Sequence, residues 1–390
     1  MSNKITRFSF PTTICFGPGA VKQLPICLDE IGVSRPLLVT DSGLQKTDVV
    51  GTVEQVLKQS SIQFSLFADV QPNPLDKDIE GALGVYRADD CDGVIGLGGG
   101  SPLDAAKAVA VLAANDGPLT LYDIQTGGNA NIKGPLPPMV AIATTAGTGS
   151  EVGRCSVMTS GAQGRKFLVC HPEMMPKRAI LDPELTVGLP ATLTAATGMD
   201  ALTHNIEALA VDAFHPMCDA IALKGIELVA RYLEKAVKKP TDIEARGNMM
   251  IAAMMGAVAF QKDLGAAHSM AHPLSTECNV HHGLANAICL APVMRFNKEV
   301  TAAKYADIAR CFGINTSGMS ELEAADQAIQ AIIDLNSRIG IPRSLAEVGV
   351  KEEKLETLAQ KAFQDPCHQS NPRPCTEQDL LELYKEAYGR

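Results

Sequence analysis

Along the first half of the chain, short apolar runs alternate with stretches whose apolar residues recur every three or four positions. The runs TICF (13–16), PLLVTD (36–41), IQFSLF (62–67), GVIGLGGGS (93–101) and MVAIATT (139–145) predict strands, and amphipathic helices follow most of them. Such alternation marks an α/β domain, Rossmann-like, with a mostly parallel sheet. Beyond DPELTVGLP (182–190) the texture changes. ALTHNIEALAVDAF (201–214), CDAIALKGIELVARYLEKAV (218–237) and SELEAADQAIQAIIDLNSRIG (320–340) keep a helical period with no strand-like run between them. Pro183 and Pro190, either side of Gly188, mark the change. The pattern therefore predicts an α/β N-terminal domain over 1–187 and an all-α C-terminal domain over 188–390.

Length agrees with two domains, since 390 residues exceed what one compact core usually holds. A formal charge of -10, with no Lys/Arg run able to track a phosphate backbone, argues against nucleic acid as partner and for small molecules. The N-terminal MSNKITRFSFPTTICFGPG lacks the apolar run of a signal peptide, and no segment reaches about 18 uncharged apolar residues, so no membrane span and a cytoplasmic location are expected. Eleven cysteines, none at C-x-x-C spacing, read mostly as free, reduced, buried side chains.

Two turns carry candidate nucleotide chemistry. In GVIGLGGGSPLDAAK a strand runs into Gly98, Gly99, Gly100 and Ser101, and Pro102 is expected to open a helix. A turn without side chains lets backbone N–H groups approach a pyrophosphate, and the helix N-terminus adds partial positive charge. The turn departs from G-x-G-x-x-G at Ser101, and the best acidic partner for a ribose, Asp41, precedes the glycines instead of following them. In AIATTAGTGSEVG, Thr144, Thr145 and Thr148 form a second hydroxyl-rich turn after a buried strand.

GAAHSMAHPLSTECNVHHG (265–283) holds four of the eight histidines among small residues, where a core would use Leu or Ile. Asp200 and His204 are spaced i, i+4, as are His268 and His272, so each pair shares a helix face. One carboxylate and three imidazoles suit Fe(II) or Zn(II) with a position open to a substrate oxygen. Spacing does not separate the ligands among His268, His272, His281 and His282.

GGGSPLDAAK, TTAGTGSEV, GMDALTHNIEA, AHSMAHPL and HHGLANA, in that order, resemble the iron-containing alcohol dehydrogenases, a likeness running from about residue 10 to CHQSNPRP (367–374). The resemblance implies the dehydroquinate synthase-like fold of that family, with metal ligands at Asp200, His204, His268 and His282. His272 is then the non-ligating histidine that relays a proton. It further implies NAD contacts at Gly98, Gly99, Gly100, Ser101, Thr144, Thr145, Thr148 and Lys166, with Asn73 at the adenosine end. Asp41 falls at the position that favours NAD over NADP, because a carboxylate accepts from a free 2′-OH and repels a 2′-phosphate. His281 matches no family role. Homodimers are common among such enzymes, and one is expected here.

Within the family the chain is similar to the 4-hydroxybutyrate dehydrogenase branch, through NMMIAAMMGAVAFQKDLG and the CHQSNP tail. Arg154 is the candidate anchor for a substrate carboxylate, and Leu264 a candidate substrate contact. LSTECNVHHG, shorter than that branch has it, leaves general primary alcohols or 1,2-diols (lactaldehyde/propanediol chemistry) as the alternative. A dehydroquinate-synthase-like lyase would want several Lys/Arg for phosphate, and the stretches around 200–204 and 265–286 are nearly devoid of them.

Overall fold

The computed structural model describes residues 8–161 and 165–389, so the first part of the N-terminal stretch lies outside the described residues. The chain divides into two units, one of Phe10–Thr145 with Gly149–Gly188 and one of Leu189 onward with Ala146–Thr148.

The first unit is built on a six-stranded parallel sheet: β1 (Thr13–Phe16), β2 (Pro36–Asp41), β3 (Ser65–Val70), β4 (Gly93–Gly98), β5 (Met139–Ala143) and β8 (Arg178–Leu181), in the order β1-β8-β5-β4-β2-β3. Helices α1 (Leu24–Glu30), α2 (Asp48–Gln59), α3 (Asp76–Ala88) and α4 (Gly100–Ala114) lie between strands. Alternation along each strand supplies both faces. Leu38, Ile95, Leu97, Val140 and Ile142 join Leu24, Leu28, Val53 and Leu57 in one core, whereas Leu37, Val39, Val94 and Ala141 join Ile79, Leu103 and Val109 in another. A sheet covered on both faces needs strands that are apolar throughout, and β4 and β5 are buried at every position.

Sequence pattern and structure differ in the strands and the cysteines. The third strand lies at Ser65–Val70 instead of 62–67, because register with β2 pairs Leu37 with Ser65 and leaves Ile62 and Phe64 as flanking packing. The antiparallel hairpin β6 (Cys155–Ser160) and β7 (Arg165–Cys170) and the strand β8 are absent from the sequence reading, although β7 holds the short apolar run Phe167–Cys170. Cys155 and Cys170, opposite each other in that hairpin, form a disulfide; the other nine cysteines are free.

The second unit is helical from Ala191 on, apart from short turns: α5 (Ala191–Ala210), α6 (Pro216–Lys238), α7 (Ile243–Ala259), α8 (Ala266–Cys278), α9 (His282–Cys311), α10 (Glu321–Ile339), α11 (Leu355–Gln364) and α12 (Glu377–Tyr388). One apolar core joins them, with Met199, Leu202, Ile226, Leu233, Met270, Leu290, Ile332, Leu358 and Tyr384 in its interior. Local chemistry sets the boundaries. Ser320 and Glu323 form a reciprocal capping box at the start of α10, and Gly340 ends it in the left-handed conformation. Among the described residues no helix is long and apolar enough to cross a membrane.

Candidate functional site

In the sheet unit, counting β2, β3, β4, β5 and β8 as one to five gives the order 2-1-3-4-5, with β1 added at the edge. The order reverses between β2 and β4, which are hydrogen-bonded neighbours, and ligands of open α/β sheets bind beyond the carboxyl ends of strands at such a point. This arrangement accounts for Asp41 preceding the glycines. Val39 pairs with Gly96, so two residues further on Asp41 and Gly98 end adjacent strands. Gly98 has φ +146°, and a Cβ there would stand 2.7 Å from the Pro102 ring, so only glycine suits the turn. Helix α4 begins at Gly100, two residues earlier than Pro102 alone predicts, with Gly99 as N-cap and no capping side chain. Its first N–H groups have no intrahelical acceptor, which is what an anion cradle requires. Thr144 N donates to Gly98 O at 3.0 Å and brings the Thr144–Thr145 turn beside the glycines.

Two side chains of α4 hold that region together. Ser150 Oγ donates to Asp104 Oδ1 at 2.6 Å, and Val157 N donates to Asp104 Oδ2 at 2.9 Å. Buried Lys107 donates to Ser150 Oγ (2.6 Å) and Cys155 O (2.9 Å), and burial lowers the pKa of its ammonium. Thus GGGSPLDAAK carries both a turn and the ties that fix the GTGSEVG loop to it.

In the helical unit, α5 presents Asp200, His204 and Glu207 from one face. Ligand atoms of Asp200, His204 and His268 lie within 4.8 Å of one another, and all three side chains are buried. His282, first residue of α9, brings Nε2 to 3.5 Å from Asp200 Oδ1. Gly283 makes this approach feasible, because a Cβ there would lie 2.3 Å from Ala196 O and 3.1 Å from Asp200 Cβ. Asn286, one turn further on, donates to Asp200 Oδ1 at 2.8 Å and stands 3.2 Å from Nε2 of both His268 and His282. Three donor atoms therefore converge on one point.

Electrostatics suit a cation there. Burial alone would raise the Asp200 carboxyl, but the imidazoles of His204, His282 and His268 hold it at about 2, ionised. Burial pushes His204 down to about 4, so that ring is neutral and its lone pair available. On His268 burial opposes the proton, but the Glu207 carboxylate outweighs it and raises the ring. Glu207 Oε2 is 2.5 Å from His268 Nδ1, and Oε1 accepts from Ala267 N at 2.7 Å. With Nδ1 engaged by a carboxylate, Nε2 of His268 is the nitrogen left for an ion. Nδ1 of His204 is buried with no hydrogen-bond partner. One carboxylate and three imidazoles, one of them with an uncompensated Nδ1, fit a first-row divalent ion.

The remaining sequence candidates are placed as follows. His272, on α8, stacks on His282 with centroids 5.3 Å apart, and its Nδ1 is 2.7 Å from Asp365 Oδ2. His281 is exposed at the N-cap of α9. Thr148 belongs to the helical unit, apart from Thr144 and Thr145. Lys166 pairs with Thr159 in the hairpin, and Arg154 is exposed just before it. Asn73 is an exposed residue with φ +56° before α3, and half-buried Leu264 precedes α8. Pattern reading missed Glu207, Asn286 and Asp365. Glu207 had a signal, three residues after His204 on the same face, and Asn286 had one, four residues after His282. Asp365, 93 residues from His272, had none.

Comparison with known proteins gives the family. The family model for iron-containing alcohol dehydrogenase matches residues 11–183, and that for the C-terminal part of the same family matches 194–388. The chain is 40% identical over 384 residues to the NAD-dependent methanol dehydrogenase of Bacillus methanolicus, covering 98% of this chain and all of that one. It is 38% identical to the 4-hydroxybutyrate dehydrogenase of Cupriavidus necator, covering 95% and 96% of the two chains. A crystal structure of 1,3-propanediol oxidoreductase superimposes with a TM-score of 0.95 at 39% identity, covering 99% of this chain and all of that one. The chain belongs to the iron-containing alcohol dehydrogenase family and is an NAD-dependent, metal-dependent alcohol oxidoreductase.

Proposed function

We propose that Asp200, His204, His268 and His282 hold one divalent ion, Fe(II) in preference to Zn(II), with which the chain interconverts a small primary alcohol and its aldehyde. The observation carrying this reading is the convergence of Asp200 Oδ1 and the Nε2 atoms of His268 and His282 within 3.2 Å of the Asn286 amide. When bound, the ion supplies Lewis-acid chemistry that lowers the pKa of the alcohol hydroxyl or polarises the carbonyl in reverse, while NAD accepts or returns the hydride.

The chain's own residues do the rest. Asp200 offsets cationic charge in a buried setting. Glu207 fixes the tautomer of His268. His272 takes the hydroxyl proton on oxidation and returns it on reduction. Gly98, Gly99, Gly100 and Ser101 cradle the pyrophosphate, and Asp41 accepts from the ribose 2′-OH. Asn73, Thr144, Thr145, Thr148 and Lys166 complete the cofactor contacts. Residues 1–187 serve as the dinucleotide domain and 188–390 as the metal and substrate domain. The protein acts in the cytoplasm as a homodimer, without nucleic acid.

For substrate we propose a 4-hydroxy acid, its carboxylate on Arg154 and its chain against Leu264. The likeness to the methanol and 1,3-propanediol enzymes favours a second reading, simple alcohols or diols. Turnover with NAD and a panel of 4-hydroxybutyrate, propanediols, ethanol and butanol, before and after chelation, tests both. Activity is expected to vanish in verified metal-free protein and return with Fe(II). Unchanged turnover without metal would remove the reading.

A further inference from the structure

We infer that Asp365 is a positioning residue for this reaction: it holds His272 with its proton on Nδ1, leaving Nε2 as the nitrogen that takes the proton. The inference rests on the relay assigned to His272 above.

Asp365 lies after α11 and is anchored at both oxygens. Oδ1 accepts from Ser269 Oγ at 2.8 Å and from Cys367 N at 2.9 Å, and Oδ2 faces His272 Nδ1 at 2.7 Å. Ser269, one turn before His272 on α8, also accepts from His368 N at 2.8 Å, so its own position is fixed. Burial would raise the Asp365 carboxyl, but the His272 imidazole and these hydrogen bonds hold it well below the usual carboxylate range. An ionised carboxylate only accepts hydrogen bonds, so the facing Nδ1 must donate. Nε2 has no hydrogen-bond partner among the described residues. It is therefore the ring's one available acceptor. In the balanced reaction the alcohol and NAD+ give aldehyde, NADH and a proton; the hydride leaves carbon, and the hydroxyl proton passes to Nε2.

The anchoring makes a prediction that a purely structural role does not. Cys367 N is a backbone donor and cannot be turned round. In Asp365→Asn the amide oxygen therefore stays at the Oδ1 position, and the NH2 group faces His272. Nδ1 must then accept, the ring proton moves to Nε2, and the acceptor is lost. In Asp365→Ala the ring is free to adopt either tautomer. If Asp365 served only stability, Ala, which loses three hydrogen bonds, would be the worse variant. If it sets the tautomer, Asn is worse.

The test uses 15N-histidine-labelled, Zn(II)-loaded protein, which is diamagnetic, with the His272 signal assigned by its absence in His272→Gln. The wild type is expected to carry its proton on Nδ1 and Asp365→Asn on Nε2. The kcat of Asp365→Asn should fall on the order of 100-fold, at unchanged metal content, and below that of Asp365→Ala. The same tautomer in wild type and Asp365→Asn, or Ala slower than Asn, would overturn the inference. If His272→Gln is slow while Asp365→Asn is not, positioning by Asp365 fails alone. If His272→Gln retains full kcat, the relay reading of His272 fails and takes this inference with it.

Discussion

Nδ1 of His268 lies 2.5 Å from Oε2 of Glu207, both side chains are buried, and the other Glu207 oxygen is taken by Ala267 N. A histidine so held presents Nε2 as a lone pair. Glu207→Gln should break this arrangement while keeping the shape: the amide oxygen stays on the Ala267 backbone donor, the NH2 group meets Nδ1, and Nε2 gains a proton. Metal affinity should fall about 10- to 100-fold, read by competition with a chelator of known affinity. Equal affinities for wild type and variant would show that Glu207 packs the site without tuning it.

Much of this site was legible because helical periodicity is local. Asp200 with His204 and His268 with His272 keep the i, i+4 spacing that puts each pair on one face, and the structure displays each pair on a single helix. The small residues around the histidines also have a physical reason, visible in Gly283, whose missing Cβ lets α9 close on α5. What could not be read is pairing across distance. Asp365 reaches His272 through a tertiary hydrogen bond, and β8 finds its place between β1 and β5 through register alone. The position of Asp41 ahead of the glycines broke the expected order until β2 and β4 proved to be neighbours.

Glu151 supplies a pH dependence of stability. Burial raises its carboxyl from 4.5 to about 7, against opposing contributions from a backbone hydrogen bond and the Lys107 ammonium. A carboxyl raised in the folded state favours folding in its protonated form. That contribution is complete below the unfolded value of 4.5 and is lost as pH rises through about 7. Glu151→Gln, which cannot ionise, should therefore gain on the wild type between about pH 5 and about pH 8, by on the order of 3 kcal/mol. Thermal melts of both proteins at the two pH values check this. A constant difference between the two curves would mean that Glu151 is already ionised at the lower pH.

Substitution of Arg154 separates the two proposed substrate classes. It is exposed, and an Arg fork on a carboxylate contributes about 1.5–3 kcal/mol as a charge-assisted pair. Arg154→Ala should lower kcat/KM for 4-hydroxybutyrate on the order of 10- to 100-fold while leaving ethanol and butanol unchanged. Parallel losses for acids and simple alcohols would assign Arg154 to structure, and no loss at all would favour the diol reading.

The proposed preference for NAD over NADP rests on the carboxylate at the end of β2. Asp41 Oδ1 is engaged by Gly43 N at 2.9 Å and Leu44 N at 2.8 Å, so the carboxylate caps its own turn with one oxygen. Its charge remains, at the strand end adjacent to that of Gly98. A 2′-phosphate brought to this point meets a carboxylate, whereas a 2′-OH finds an acceptor. Asp41→Asn preserves the Oδ1 acceptor and hence the turn, and removes only the charge. The ratio of kcat/KM for NAD over NADP should fall about tenfold, the equivalent of about 1.4 kcal/mol, with melting temperature unchanged. Measuring both cofactors with one alcohol at fixed ionic strength isolates the effect, since salt screens a half-buried charge in part. A ratio that stays put would move the discrimination elsewhere on the adenosine side and leave Asp41 with its capping role alone.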